Sequence, residues 1–331
     1  MEKHGGGQMY DLGMQSIVIT GAGGSGGSYL AEHILSLSHE FHVWAPIRWR
    51  SNQNTQLQSS VNRLSRVECD LTDLSGTIRF LEKARPKYVF NLAAHANVRA
   101  SFDVPLAVFE NNTRATHNLL EALRILEMTP TFVMGSTSEV YGNPKTDDLP
   151  ITENHRLNPV SPYAASKVAQ EMLCNAYFQS FGIPTIITRM FTYLNPRRND
   201  LFATAFALQV LECKNGKSNE VRHGNLESIR TIMDVRDACS AYWSASQKCV
   251  PGEIYNIAGT SQLKIGDFLK RLISISGTNP QLIEAPELLR PMDVTLQIPS
   301  SEKFRAATGW SEKYSLDESI SFLIDELEAL G

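Results

Sequence analysis

Tyr163 and Lys167 stand four residues apart in Tyr163-Ala164-Ala165-Ser166-Lys167, directly behind Ser161-Pro162. Serine followed by proline reads as a helix start, with Ser161 as N-cap and Pro162 in the first helical position. Tyr163 and Lys167 are then i and i+4, on one face. A free phenol ionises near pH ~10, too high for a base at neutral pH. An ammonium one turn away would bring that value down. Upstream, Thr137 lies at the end of an apolar run, where its hydroxyl can hold a substrate oxygen. Such a set moves a proton at an oxygen-bearing carbon that gives or takes a hydride. The alternative is a tyrosine that merely packs on its helix.

A hydride needs a carrier, and a second motif provides for one. Thr20-Gly21-Ala22-Gly23-Gly24-Ser25-Gly26-Gly27 follows the apolar residues 17–19 and precedes a helical pattern. Gly21, Gly24 and Gly27 match G-x-x-G-x-x-G. The first permits a tight turn, the second close approach of a phosphate, the third close packing of helix on strand. With Ser25 and Gly26 they open a helix whose free N–H groups suit a dinucleotide pyrophosphate. Bound there, a nicotinamide cation would also favour the Tyr163 phenolate. No Asp or Glu occurs between residues 41 and 67, whereas Arg48 and Arg50 lie just past the second strand. Guanidinium groups at that place can clamp a 2′-phosphate, so NADP is favoured over NAD. The other reading is a solvated basic loop. Asp70, followed by Leu71 after the third strand, suits an adenine amine or an ordinary strand-end cap.

These motifs must be held by alternating strands and helices. Strands are expected at 17–20, 41–47, 66–69, 88–92, 131–134 and 185–188, and helices at 28–37, 72–83, 105–127 and 161–181. The alternation predicts an α/β fold, a Rossmann-like doubly wound parallel sheet. Farther on, helices are expected at 201–213, 234–247, 265–275 and 316–330, with a strand at 253–257 among irregular stretches. Residues 51–60 read as a loop. The domain expectation is a mobile tail over 1–14, a dinucleotide-binding domain over 15–190 that also receives about 234–260, and a smaller mixed substrate domain over 191–331. Asp234 reads as a helix cap rather than as half of a catalytic pair with Asp237.

The chain resembles the extended short-chain dehydrogenase/reductases that act on nucleotide sugars, over nearly all of residues 16–310. The likeness rests on the glycine loop, Asn91-Leu92-Ala93-Ala94, Ser136-Thr137-Ser138-Glu139-Val140-Tyr141-Gly142, the Tyr163/Lys167 pair and Arg290-Pro291-Met292-Asp293-Val294. It is nearest the clade of GDP-mannose 4,6-dehydratases and GDP-4-keto-6-deoxy-mannose reductases. Gly27-Ser28-Tyr29-Leu30-Ala31-Glu32 and Pro196-Arg197-Arg198 look like the dehydratase, while Gly224-Asn225-Leu226-Glu227 with Arg230 looks like the reductase. The resemblance implies Leu92, Ala93 and Ala94 at the cofactor, Ser138 beside the catalytic set, and Arg230, Arg290, Arg197 and Arg198 on the substrate diphosphate. Thr192 and Thr231 depart from the family's Asn and Asp at positions that line the cofactor–substrate junction. A dehydratase also needs a carboxylate to take the C5 proton, and Glu139, two residues past Thr137 on an extended segment, has the right chemistry. The expected reaction is therefore dehydration of a GDP-sugar, with 4-keto reduction as the alternative. An epimerase or a non-catalytic NADP-binding regulator ranks lower. The resemblance further implies a homodimer in which helices 105–127 and 161–181 pair into a four-helix bundle. Leu106, Phe109, Leu119, Leu120 and Leu123 would be its apolar surplus.

Composition sets the outer limits. The chain has 331 residues, 42% hydrophobic and 20% charged, with a net charge of −4. Nothing there advertises nucleic acid or a membrane span. Five scattered cysteines suit a reducing cytoplasm, and neither they nor the eight histidines have metal-ligand spacing.

Overall fold

The structure, a computed structural model, describes residues 13–48, 57, 62–288 and 294–330. Arg50, Arg290 and residues 1–12 of the expected tail lie outside the described residues. In chain order the elements are β1 (Gln15–Thr20), α1 (Ser25–Leu37), β2 (Phe41–Ile47), β3 (Leu64–Glu68), α2 (Leu74–Ala84), β4 (Tyr88–Asn91), α3 (Ala100–Asp103), α4 (Pro105–Ile125) and β5 (Thr131–Thr137). Then come α5 (Pro162–Phe181), β6 (Thr185–Met190), β7 (Thr192–Leu194), α6 (Phe202–Lys214), β8 (Glu220–His223), β9 (Ile229–Asp234), α7 (Val235–Lys248) and β10 (Ile254–Ile257). The last are β11 (Ser261–Lys264), α8 (Ile265–Ser276), β12 (Gln281–Glu284), β13 (Leu296–Gln297), α9 (Glu302–Thr308) and α10 (Leu316–Leu330).

Seven strands form one parallel sheet in the order β10-β6-β5-β4-β1-β2-β3. Order reverses between β1 and β4, which opens a crevice at the carboxyl ends of the strands. The strands inside the edge strand β3 are largely buried on both faces, as a covered parallel sheet requires. Ile17 and Ile19 face a layer holding Leu30 and Ile34 of α1 and Ala238 and Ala241 of α7. Val18, between them, joins Leu81 of α2, Leu119 and Leu123 of α4 and Cys174 of α5 on the opposite face. The period of two thus divides the core in two. A third core, built by Phe206, Phe268, Leu272 and Leu323, lies among α6, α8 and α10.

Three expectations change. Helix α1 begins at Ser25, so Gly26 and Gly27 are inside its first turn rather than before it. β5 runs three residues beyond the expected end and delivers Thr137 as its last residue. Of the supposed apolar surplus, Leu119, Leu120 and Leu123 are fully buried against the sheet, while Leu106 and Phe109 are exposed. The irregular stretches of the second half contain the short strands β7, β8, β9, β11, β12 and β13. β9 pairs with β7, β11 and β13, and β8 pairs with β12.

Candidate active site

The crevice is built first by backbone. Gly21 has φ +72°, and a Cβ on it would stand 2.9 Å from the Ala93 nitrogen. A Cβ on Gly27 would fall 2.3 Å from the Gly21 carbonyl oxygen. The loop is therefore pressed between β4 and its own helix, and both positions require glycine. Its other wall, Leu92-Ala93-Ala94, is pinned where the Ala93 N–H donates to the Thr20 hydroxyl (3.0 Å), which itself donates to Asn91 (2.8 Å). Asn112 of α4 accepts from the His95 N–H at 2.7 Å and fixes the next residue. Helix α1 has Gly24 as N-cap and no side-chain capping bond. Its first-turn N–H groups have no partner within the helix. With no side chain capping those groups, this glycine-rich cradle fits a pyrophosphate.

At the adenine end, Arg48 lies close enough to His95 to help lower the imidazole pKa, after burial. The guanidinium of Arg48, the residue after β2, is thus within electrostatic reach of the loop that follows β4. Asp70 is exposed and accepts from the Thr72 N–H (2.9 Å) and hydroxyl (2.8 Å), so its contacts here are those of a strand-end cap. Leu71 is buried in the second core, and its carbonyl accepts from Asn118.

The proton-transfer groups converge at the ends of β5 and α5. Ser161 caps α5 by accepting from the Ala164 N–H at 3.1 Å. Tyr163 and Lys167 are both buried, with the ammonium 5.9 Å from the Tyr163 ring centroid. Lys167 donates to the Gly135 carbonyl at 2.8 Å. Burial pulls its pKa down to about 8, against the opposing charge of Glu171. Burial pushes Tyr163 up to about 12, and Arg198 is the first group to draw it back, with the Thr137 hydroxyl also lowering it. Lys167 thus stands one turn from the phenol with its ammonium steadied by a carbonyl, and Arg198 is a second cation acting on Tyr163, one that the spacing did not point to.

Glu139 is not on an extended segment as expected. Thr137 ends β5, and residues Ser138–Tyr141 turn as a 3-10 helix, with the Thr137 hydroxyl accepting from the Glu139 N–H at 3.3 Å. The turn still places Glu139 near Tyr163, whose pKa it raises, and Gln297 donates to the carboxylate at 3.4 Å. Ser138 is buried in the same turn. Tyr141, also of this turn, donates to Asn256 at 2.7 Å and accepts from Arg189 at 2.8 Å.

The arginines separate. Arg197 grips Glu32 through both fork nitrogens (3.0 and 2.9 Å), donates to Ser28 and lies 3.9 Å from the Tyr29 ring centroid. The two dehydratase-like motifs thus meet as one clamp on α1, with Arg197 engaged by Glu32, Ser28 and Tyr29. Arg198 donates to the Ala96 carbonyl at 2.7 Å and pairs with Asp200 at 2.9 Å, bridging toward the β4 loop. Arg230 is buried and donates to the Ile229 and Val294 carbonyls. Thr192 is half-buried in register with Ile232. The Thr231 hydroxyl is buried without a hydrogen-bond partner. Asp234 caps α7 and pairs with Arg236 at 2.7 Å, and Asp237 accepts from the N–H groups of Lys313 and Tyr314. Among the described residues no group of three metal-ligating side chains occurs, and no helix is long and apolar enough to cross a membrane.

Sequence reasoning did not single out Asn112 or Tyr193. Asn112 is hidden in an ordinary helical pattern. Tyr193 sits on a three-residue strand too short to show a period.

A family described as GDP-mannose 4,6 dehydratase matches this chain over residues 18–322. The GDP-6-deoxy-D-mannose reductase of Pseudomonas aeruginosa is 28% identical over 246 residues, 74% of this chain and 81% of the relative. The GDP-mannose 4,6-dehydratase of Vibrio cholerae is 27% identical, across 93% of this chain and 92% of its own length. Among solved structures, RMD from Pseudomonas aeruginosa complexed with NADPH shares the fold, with TM-score 0.83 and 23% identity over 96% of this chain and 100% of that one.

Proposed function

Because this chain belongs to the GDP-mannose 4,6 dehydratase family, the extended short-chain dehydrogenase/reductase type, we propose that it dehydrates a GDP-sugar, GDP-mannose first, using NADP. The dinucleotide, when bound, supplies a hydride acceptor at C4 and a hydride donor at C6. Gly21, Gly24, Ser25, Gly26 and Gly27 would hold its pyrophosphate, Leu92, Ala93 and Ala94 its flank, and Arg48 its 2′-phosphate. Thr137 and Tyr163 hold the sugar O4 between their hydroxyls, and Tyr163 takes the O4 proton as C4 is oxidised. The C4 carbonyl acidifies the C5–H bond, so a nearby carboxylate can remove that proton. Glu139 does this and returns the proton to the departing C6 hydroxyl, which leaves as water; when hydride is returned to C6, C5 would regain a proton that balances the one Tyr163 took from O4, so water is the only net loss. Arg198, within electrostatic reach of Tyr163, and Arg230 would suit its diphosphate.

The observation that carries this reading is Glu139 beside Tyr163: a carboxylate within electrostatic reach of the phenol. The test is Glu139→Gln, with products from GDP-mannose followed by mass spectrometry and the reduced cofactor by absorbance. The parent should release a product lighter by one water. The variant should accumulate reduced cofactor without that product. A variant that matches the parent removes Glu139 from the C5 step. The 28% identical reductase supports a second reading, reduction of a 4-keto sugar with NADPH. In that case GDP-mannose alone gives no product in the parent, and Glu139→Gln leaves reduction of an added keto-sugar within about tenfold.

The same reading includes a homodimer through α4 and α5. Leu106 (66% exposed), Phe109 (41%), Met172 (48%) and Phe181 (51%) support it as an uncovered apolar face on those two helices. It also includes a cytoplasmic setting, supported by five free cysteines, four of them buried.

A further inference from the structure

Gly26 lies in the first turn of α1, and the space a side chain would fill there is taken. A Cβ on Gly26 would stand 2.9 Å from the hydroxyl oxygen of Tyr193. The Tyr193 ring packs against the core layer of α1 and α7, so the hydroxyl reaches this spot on a supported stem. Beside it are the N–H groups of α1's first turn, which have no side-chain cap. Charge of a bound anion would gather there. Burial raises the Tyr193 pKa, with Arg198 opposing, so the hydroxyl keeps its proton at neutral pH and can donate it. Tyr193 is also within electrostatic reach of the Tyr163 phenol.

We propose that Tyr193 is a cofactor-binding residue, its hydroxyl donating to the nicotinamide-side phosphate of the dinucleotide seated on α1, in space left open by Gly26. The proposal rests on the NADP reading. It makes β7 part of the cradle, so that strand β7 and helix α1 close on the same phosphate. A hydrogen bond to a charged group is the stronger kind, so its loss is visible in affinity rather than only in rate.

The test is calorimetric titration of the parent and Tyr193→Phe with NADP and with adenosine 2′,5′-bisphosphate, which lacks the nicotinamide-side phosphate. Tyr193→Phe keeps the ring and its packing. NADP should bind it about tenfold more weakly, with the bisphosphate unchanged. Gly26→Ala should also weaken NADP, and by less in the Tyr193→Phe background, since the added methyl then meets no oxygen. Unchanged NADP affinity in Tyr193→Phe overturns the proposal. So does an equal loss for both ligands, which would mean a displaced loop rather than a missing hydrogen bond. A parent that binds no NADP overturns the cofactor reading itself, and the parent titration alone tells this apart.

Discussion

Tyr163 illustrates how one residue's position sets conflicting demands. Packing it in the first turn of α5 gives it a fixed aim at the end of β5, and the same burial holds its proton tightly. A base must be ionised, and below its pKa the ionised fraction rises tenfold per pH unit. The kcat/KM for oxidation at C4 should therefore climb with pH from about pH 6 to about pH 9. Arg198 draws the Tyr163 pKa down, so Arg198→Gln should move this profile to higher pH and lower the rate at any fixed pH on the rising limb. A profile that stays in place would mean that Arg198 does not act on the phenol. Arg48 carries a simpler expectation. Arg48→Ala should weaken NADP by about tenfold or more while leaving NAD binding unchanged, as read by calorimetry. Site residues were legible in unequal measure. The Tyr163/Lys167 spacing and the glycine loop could be read because helix geometry fixes what i and i+4 share, and because close backbone approaches demand glycine. The fates of Arg197 and Arg198 could not. They are neighbours in sequence, yet one turns onto Glu32 of α1 and the other onto Ala96, a choice made by distant partners.

At the scale of elements, β5, α5 and β6 are locked together beneath the site by a buried ion pair. Arg189 of β6 and Glu171 of α5 meet at 2.7 Å with side chains 2% and 0% exposed, and Ser136 donates to the same carboxylate at 2.5 Å. Removing one partner strands a buried charge, so Arg189→Leu should cost about 3–5 kcal/mol in urea unfolding. Glu171→Leu added to it should recover part of that loss. Additive losses would show that the pair is not coupled. Helices α4 and α5 offer the other element-scale test. If the proposed dimer forms, Leu106→Glu with Met172→Glu should convert it to a monomer in light scattering, with the fold retained by circular dichroism. A parent already monomeric at micromolar concentration would refute the helix-paired dimer. The long helices and central strands were readable because their periods run over many residues and end in recognisable caps, such as Ser161-Pro162. Apart from β10, expected at 253–257, the strands from β7 to β13 were not. Each has six residues or fewer, and Ser261–Lys264 and Gln281–Glu284 are largely exposed, so hydrophobic alternation scarcely marks them.

For the whole molecule, the parallel sheet and the crossover helices could be inferred from the order of elements alone, since parallel strands require long connections. The way the chain leaves the sheet after β6 and re-enters it at β10 has a further consequence, one of time. A ribosome delivers Thr185–Met190 well before Ile254–Ile257. Until β10 emerges and docks in parallel, β6 is a bare edge beside the nascent active site. Tyr141 reaches its Asn256 partner only at that moment, so the turn bearing Glu139 is fastened late. The cofactor cradle waits on much the same stretch, since α1 packs on α7, so a chain stalled before residue 235 would hold neither a supported cradle nor a fastened turn.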